Sequence, residues 1–132
     1  MSIFQSTTII NKPSAEVYDF LADLHNHQQL MATDDISEWS STTDKASFSI
    51  RGMVTLSIQT QELIPSSLVR IVAVDKPPFD IELKWELTSA ENGTKVAYTI
   101  TAALNMMMKM VASGPLQKLA DEEIANLTKL LN

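Results

Sequence analysis

The chain has 132 residues, 45% apolar and 20% charged, which predicts one domain with a true core and not a disordered tail. Ten Lys and Arg are scattered among 16 Asp and Glu for a net charge of −6, so neither nucleic acid nor an anionic membrane surface is an expected partner. No cysteine is present, which excludes disulfides, zinc–thiolate sites, iron–sulfur clusters and thiol nucleophiles together.

The opening segment, MSIFQSTTIINKPSAEV, lacks a basic start followed by a long apolar run, and no stretch is apolar enough to span a bilayer. A cytoplasmic protein is expected. Ile3 to Ile10 is β-branched and reads as a strand that Pro13 ends. Ser14 is placed as an N-cap, with Glu16 near the positive end of the helix. Val17, Phe20, Leu21 and Leu24 then follow at helical spacing, and HNHQQLM adds a second short helix.

Strands are expected from Ile36 to Leu104. Ile36 to Ser41 is a weak one. In ASFSIRGMVTLSIQTQEL the apolar residues Ala46, Phe48, Ile50, Val54, Leu56 and Ile58 all fall on even numbers. The run is too long for one ordinary strand. A hairpin with a three-residue loop, Arg51-Gly52-Met53, keeps that parity, pairs Ile50 with Val54 and Phe48 with Leu56, and gives Gly52 a positive φ. SLVRIVAVD follows a turn at Pro65-Ser66. FDIELKWELT alternates, with Phe79, Ile81, Leu83, Trp85 and Leu87 on one face, and TKVAYTITAAL turns Val96, Tyr98, Ile100 and Ala102 inward. Pairing Leu87 with Thr94 would set Trp85 beside Val96 and Leu83 beside Tyr98. Asn105 to Leu131 is helical in pattern, with a kink or split expected at Gly114-Pro115. The order predicts an α+β layout: one antiparallel sheet of six to seven strands, two short helices after the first strand, and a long C-terminal helix.

The opening IINKPSAEVYDFLADLHNHQQLM, the run of six antiparallel strands and the closing MVASGPLQKLADEEIANLTKLL resemble the START-related, SRPBCC-type superfamily. Its members include polyketide cyclases and dehydrases, coenzyme-Q-binding proteins, pollen-allergen-type ligand carriers and the ATPase-activator domain for a heat-shock chaperone. Val17, Tyr18, Leu21 and Asp23 carry its V-aromatic-x-x-L-x-D habit. The chain looks most like small single-domain bacterial members with a similar S-x-P-L-Q helix. The resemblance covers essentially the whole chain. It implies a helix-grip fold, in which a curved sheet wraps the long helix around a cavity. It transfers no catalytic residue, and fold alone does not establish function.

Four methionines, Met106, Met107, Met108 and Met110, crowd the six positions 105–110. Thioether ligation of copper(I) is one reading, but helical spacing splays the sulfurs and no His or Cys is adjacent. Core packing and an adaptable pocket lining are the other two. Glu123 falls within the apolar stripe formed by Leu116, Leu119, Ala120, Ile124, Leu127, Leu130 and Leu131. A carboxylate there is paired, hydrogen-bonded or shifted in pKa. Its readings are a polar anchor or acid/base at the cavity, or a side chain that reaches solvent or pairs with Lys or Arg. Tyr98 and Trp85 share a face and bring aromatic bulk with one polar atom each. Arg51 sits in the predicted hairpin loop, and its readings are a solvated arginine or one that reaches an acidic ligand at the cavity mouth. His25 and His27 flank Asn26 near Asp23, Asp34 and Asp35; their spacing suits solvated loop histidines better than zinc. No metal and no cofactor is expected.

The expected function is binding of a hydrophobic small molecule, a lipid, isoprenoid or aromatic metabolite, lined by Phe48, Ile50, Leu56, Leu83, Trp85, Tyr98, Met107, Met110, Leu119 and Glu123. One alternative is a cyclase- or dehydrase-type enzyme using Glu123 and Tyr98. Another is a protein-partner module resembling the chaperone activators.

Overall fold

The structure, a computed structural model, describes residues 1–31 and 34–132. Its elements are β1 (Ser2–Ile10), α1 (Ser14–Ala22), a 3₁₀ turn (Leu24–Asn26), α2 (His27–Leu30), β2 (Ile36–Ser41), β3 (Lys45–Ile50), β4 (Val54–Ile64), β5 (Leu68–Val74), β6 (Ile81–Ala90), β7 (Gly93–Ala102) and α3 (Met106–Leu131). The strands form one antiparallel sheet in the order β1-β7-β6-β5-β4-β3-β2, curled as a half-barrel around α3. It is a meander from β2 to β7, closed by the return of β1 to the side of β7.

The expected β3–β4 register is the one observed: Ile50 opposes Val54 and Phe48 opposes Leu56. Both Arg51 (φ 51°) and Gly52 (φ 66°) take left-handed backbone in the loop between them. The β6–β7 pairing differs from expectation by two residues. Leu87 faces Val96, Trp85 faces Tyr98 and Leu83 faces Ile100, because the pairing runs on to Ala90 opposite Gly93. A shift of two keeps every side chain on its expected face. The tight closure needs glycine: a Cβ at position 93 would lie 2.0 Å from the carbonyl oxygen of Ile10.

Ser14 is not the N-cap of α1. That position belongs to Pro13, whose carbonyl accepts from the amides of Glu16 and Val17. The Ser14 hydroxyl bonds instead to Thr94, which donates to the carbonyl of Lys12 and ties α1 to the start of β7.

The C-terminal helix is not split. α3 runs unbroken through Gly114 and Pro115, although Pro115 has no N–H to give the Val111 carbonyl. The break appears in packing instead. From Pro115 onward the helix buries Pro115, Leu116, Leu119, Ala120, Glu123, Ile124 and Leu127 against the sheet and short helices. Before Pro115, only Ala112 is buried. Met107 and Met110, placed inward from the sequence, are 75% and 87% exposed, and Met106 is exposed beside them. Met108 alone of the four is half-buried against the core.

Candidate functional site

Four polar side chains from four elements meet under the gripping half of α3. Register brings Trp85 of β6 opposite Tyr98 of β7 on the inner face, where the rings stack at 3.7 Å between centroids. His27 of α2 meets Trp85 edge-on at 6.0 Å. Glu123 comes down from α3, and the Tyr98 hydroxyl donates to its Oε2. All four residues are 0% exposed, so no water-sized space touches any of them.

Burial sets the protonation of this cluster. It pushes the Glu123 pKa up to about 8, and the Tyr98 hydrogen bond only partly opposes that. It also raises the Tyr98 phenol, helped by the charge and hydrogen bond of Glu123. His27 is lowered to about 4 by burial, against the pull of the Leu21 carbonyl and the Asp23 charge. Near neutral pH the cluster is therefore uncharged. His27 Nε2 lies 2.7 Å from the Leu21 carbonyl oxygen, which only accepts, so Nε2 carries the hydrogen and Nδ1 is a bare acceptor. Within the cluster three buried atoms make no hydrogen bond among the described residues: His27 Nδ1, Trp85 Nε1 and Glu123 Oε1. Unpaired buried polar atoms of this kind are uncommon and each costs about 1–3 kcal/mol.

Of the other residues expected at a ligand site, Phe48, Ile50, Leu56, Leu83 and Leu119 belong to the same packed core. The grip is closed on its own side chains here. A void of about 20 Å³, room for roughly one water, lies beneath Val111 and Ala112, bounded by Ile50, Arg51, Met53, Val54 and Phe79. Arg51 does stand at this rim, but its Nε is bound to Asp35 Oδ1 at 3.0 Å. Lys118 of α3 reaches the other oxygen of Asp35 at 3.3 Å. Asp35 thus ties the hairpin tip to the helix. Its own burial would raise its pKa, but the hydrogen bonds and charges of Arg51 and Lys118 outweigh that and hold it below the usual carboxylate value.

Two expectations about the histidines change. His27 is not a solvated loop residue; it is core. Its signal was its spacing three residues from both Leu24 and Leu30, each fully buried. His25 bonds Ser41 at the surface, so the two imidazoles face different surroundings. Among the described residues no three His, Asp or Glu side chains converge on a common point. Trp39, not singled out from the sequence, stacks on Phe48 from β2. Chemically, the Tyr98–Glu123 contact can pass a proton, but in the closed grip no substrate can reach it.

No family model and no curated protein sequence matches the chain. Solved structures do match in fold. The protein CV1439 from Chromobacterium violaceum superposes with a TM-score of 0.76 at 11% identity, covering 99% of this chain and 98% of its own. A Deinococcus radiodurans protein gives 0.71 at 12% identity, over 98% and 95%. The Aha1 dimer from Colwellia psychrerythraea gives 0.68 at 19% identity, over 99% and 96%. The chain thus has a helix-grip-like fold shared with these bacterial proteins, and at such identities the likeness concerns the fold alone.

Proposed function

We propose that the protein binds a hydrophobic small molecule, a lipid, isoprenoid or aromatic metabolite, between α3 and the sheet. The carrying observation is the set of unpaired polar atoms on His27, Trp85 and Glu123 inside an otherwise apolar grip. A core serving stability alone gains nothing from them, whereas a ligand pocket needs a few polar points in an apolar wall. Access requires the grip to open. The loosely packed segment before Pro115, with the Val111 carbonyl left without its proline partner and only Ala112 buried, is the part that can lift.

Native mass spectrometry or solvent extraction of protein purified from its own host tests this. A co-purifying hydrophobic compound is the expected result. Ligand-free protein that also takes up nothing from a lipid extract overturns it.

A second reading is a protein-partner module resembling the chaperone activators. The exposed Met53, Met106, Met107 and Met110, together with the Aha1 neighbour, favour it. Recovery of no stable partner in a pulldown from the host argues against it.

A further inference from the structure

The hydrogen-bond inventory of the buried cluster constrains the head group of its ligand. Trp85 Nε1–H can only donate, and His27 Nδ1 can only accept in the tautomer that Leu21 imposes. Both are buried and unpaired, as is Glu123 Oε1. Glu123 bonds only to Tyr98 and forms no ion pair with Lys or Arg among the described residues. Arg51 and Lys118 are both paired with Asp35, and Lys118 also with Glu122.

We propose, resting on the binding function above, that the ligand is an uncharged apolar molecule with a hydroxyl head, an alcohol or phenol, held by the Trp85 N–H and by the free acceptor Nδ1 of His27. A hydroxyl both donates and accepts, so it satisfies an orphan of each kind. A carbonyl head takes the Trp85 hydrogen but leaves the His27 lone pair bare. A carboxylate head meets no cation and stays desolvated without compensation. An ammonium head meets no ionised partner while Glu123 keeps its proton. The apolar tail runs toward the void under Ala112, about 16 Å from the level of Glu123 along a helix rising 1.5 Å per residue. That length suits a medium alkyl chain.

The test compares decanol, decanoate and decylamine on the full chain by native mass spectrometry. Trp39→Phe protein, which leaves Trp85 as the single tryptophan, reports the same titrations by fluorescence. Decanol is expected to bind at least about ten-fold more tightly than either charged analogue. Trp85→Phe, which keeps the ring and removes the N–H, is expected to erase most of that preference. If Trp85→Phe does not fold, the head-group comparison on the wild-type chain decides alone. Equal binding of all three, or preference for a charged head, overturns the hydroxyl assignment and leaves the binding function standing. Binding of none overturns both. A crystal structure grown with decanol that holds only an ordered water at the Trp85 N–H also overturns the assignment.

Discussion

Tyr98 on β7 and Glu123 on α3 share a hydrogen bond inside the core, the phenol donating and the carboxyl accepting, and no Lys or Arg among the described residues pairs with Glu123. This single contact joins the gripping helix to the middle of the sheet through two ionisable groups. Five outcomes follow from it and from the packing around it.

The first concerns pH. Glu123 has a pKa of about 8 in the fold against 4.5 for the free side chain, so the native state holds the extra proton between those values. Stability therefore falls as pH rises from about 4.5 to 8. His27 works in the opposite sense. Its pKa drops from 6.5 to about 4, so its contribution is present above 6.5 and lost as pH falls toward 4. The two slopes oppose each other between 4.5 and 6.5. Urea unfolding is expected to show a broad maximum in that window with a decline toward pH 8. Glu123→Gln should flatten the alkaline limb and keep the acid one; an unchanged alkaline limb would mean that Glu123 is not its source.

Tyr98→Phe removes the only hydrogen-bond partner of Glu123 among the described residues and should cost about 1–3 kcal/mol. Adding Glu123→Leu removes the stranded carboxyl, so the double variant should lose less than the two single losses added together. Chemical denaturation of the four-protein cycle measures the coupling, and strict additivity would contradict it.

Gly114 lies mid-helix with nothing within 4 Å of an added Cβ. Gly114→Ala is expected to stabilise the chain by about 0.5–1 kcal/mol through helix propensity alone. It should also slow hydrogen exchange across Met110 to Leu116. A lower melting temperature would show that the position is tighter than the structure has it.

Asp35→Asn keeps the shape and cancels both ion pairs at the rim. The partners are partly exposed, so global stability should change by less than about 1 kcal/mol. Local exchange should change more, at Arg51 to Met53 and around Lys118 in the middle of α3. If exchange at both segments is unaltered, Asp35 is no tie between hairpin and helix.

Mild peroxide treatment should oxidise Met106, Met107 and Met110 rapidly and leave circular dichroism unchanged, because these side chains stand in solvent. Met31, at 2% exposure, should be the slowest described methionine to react. Peptide mass spectrometry gives the order, and early oxidation of Met31 would contradict the packing of α2.

Periodicity made much of this legible. Even-numbered apolar positions fixed the inner face of β3 and β4, and the three-residue loop around Gly52 fixed their register. Alternation alone fixed only the face of β6 and β7; a slide of two residues leaves the alternation intact, so the pairing of Trp85 with Tyr98 was out of reach. The place of Glu123 in the apolar stripe of α3 was visible, as was Tyr98 on the inner face. Their contact depends on how the helix crosses the sheet, which no local pattern encodes. The methionines misled because composition marks a segment as apolar without saying whether the sheet extends beneath it. Proline rules anticipated a kinked or split helix at Gly114-Pro115; the helix is not split, and Pro115 is buried against the core. Whether the grip is open or filled rests on side-chain volumes in three dimensions.

β1 has a consequence for the birth of the protein. Its first residue pairs with Ala102 and its last with Thr94, so the ribosome must deliver almost the whole sheet before this strand has a mate. The meander from β2 onward folds through contacts between neighbours, while closing β1 onto β7 spans the longest loop of any strand pair in the sheet. Until then SIFQSTTII, which contains no charge and no proline, waits as an unpaired, uncharged β-prone segment. Such a stretch is prone to join the wrong chain. The slowest and most aggregation-sensitive step of folding is therefore the arrival of the first strand, which is the last to be seated.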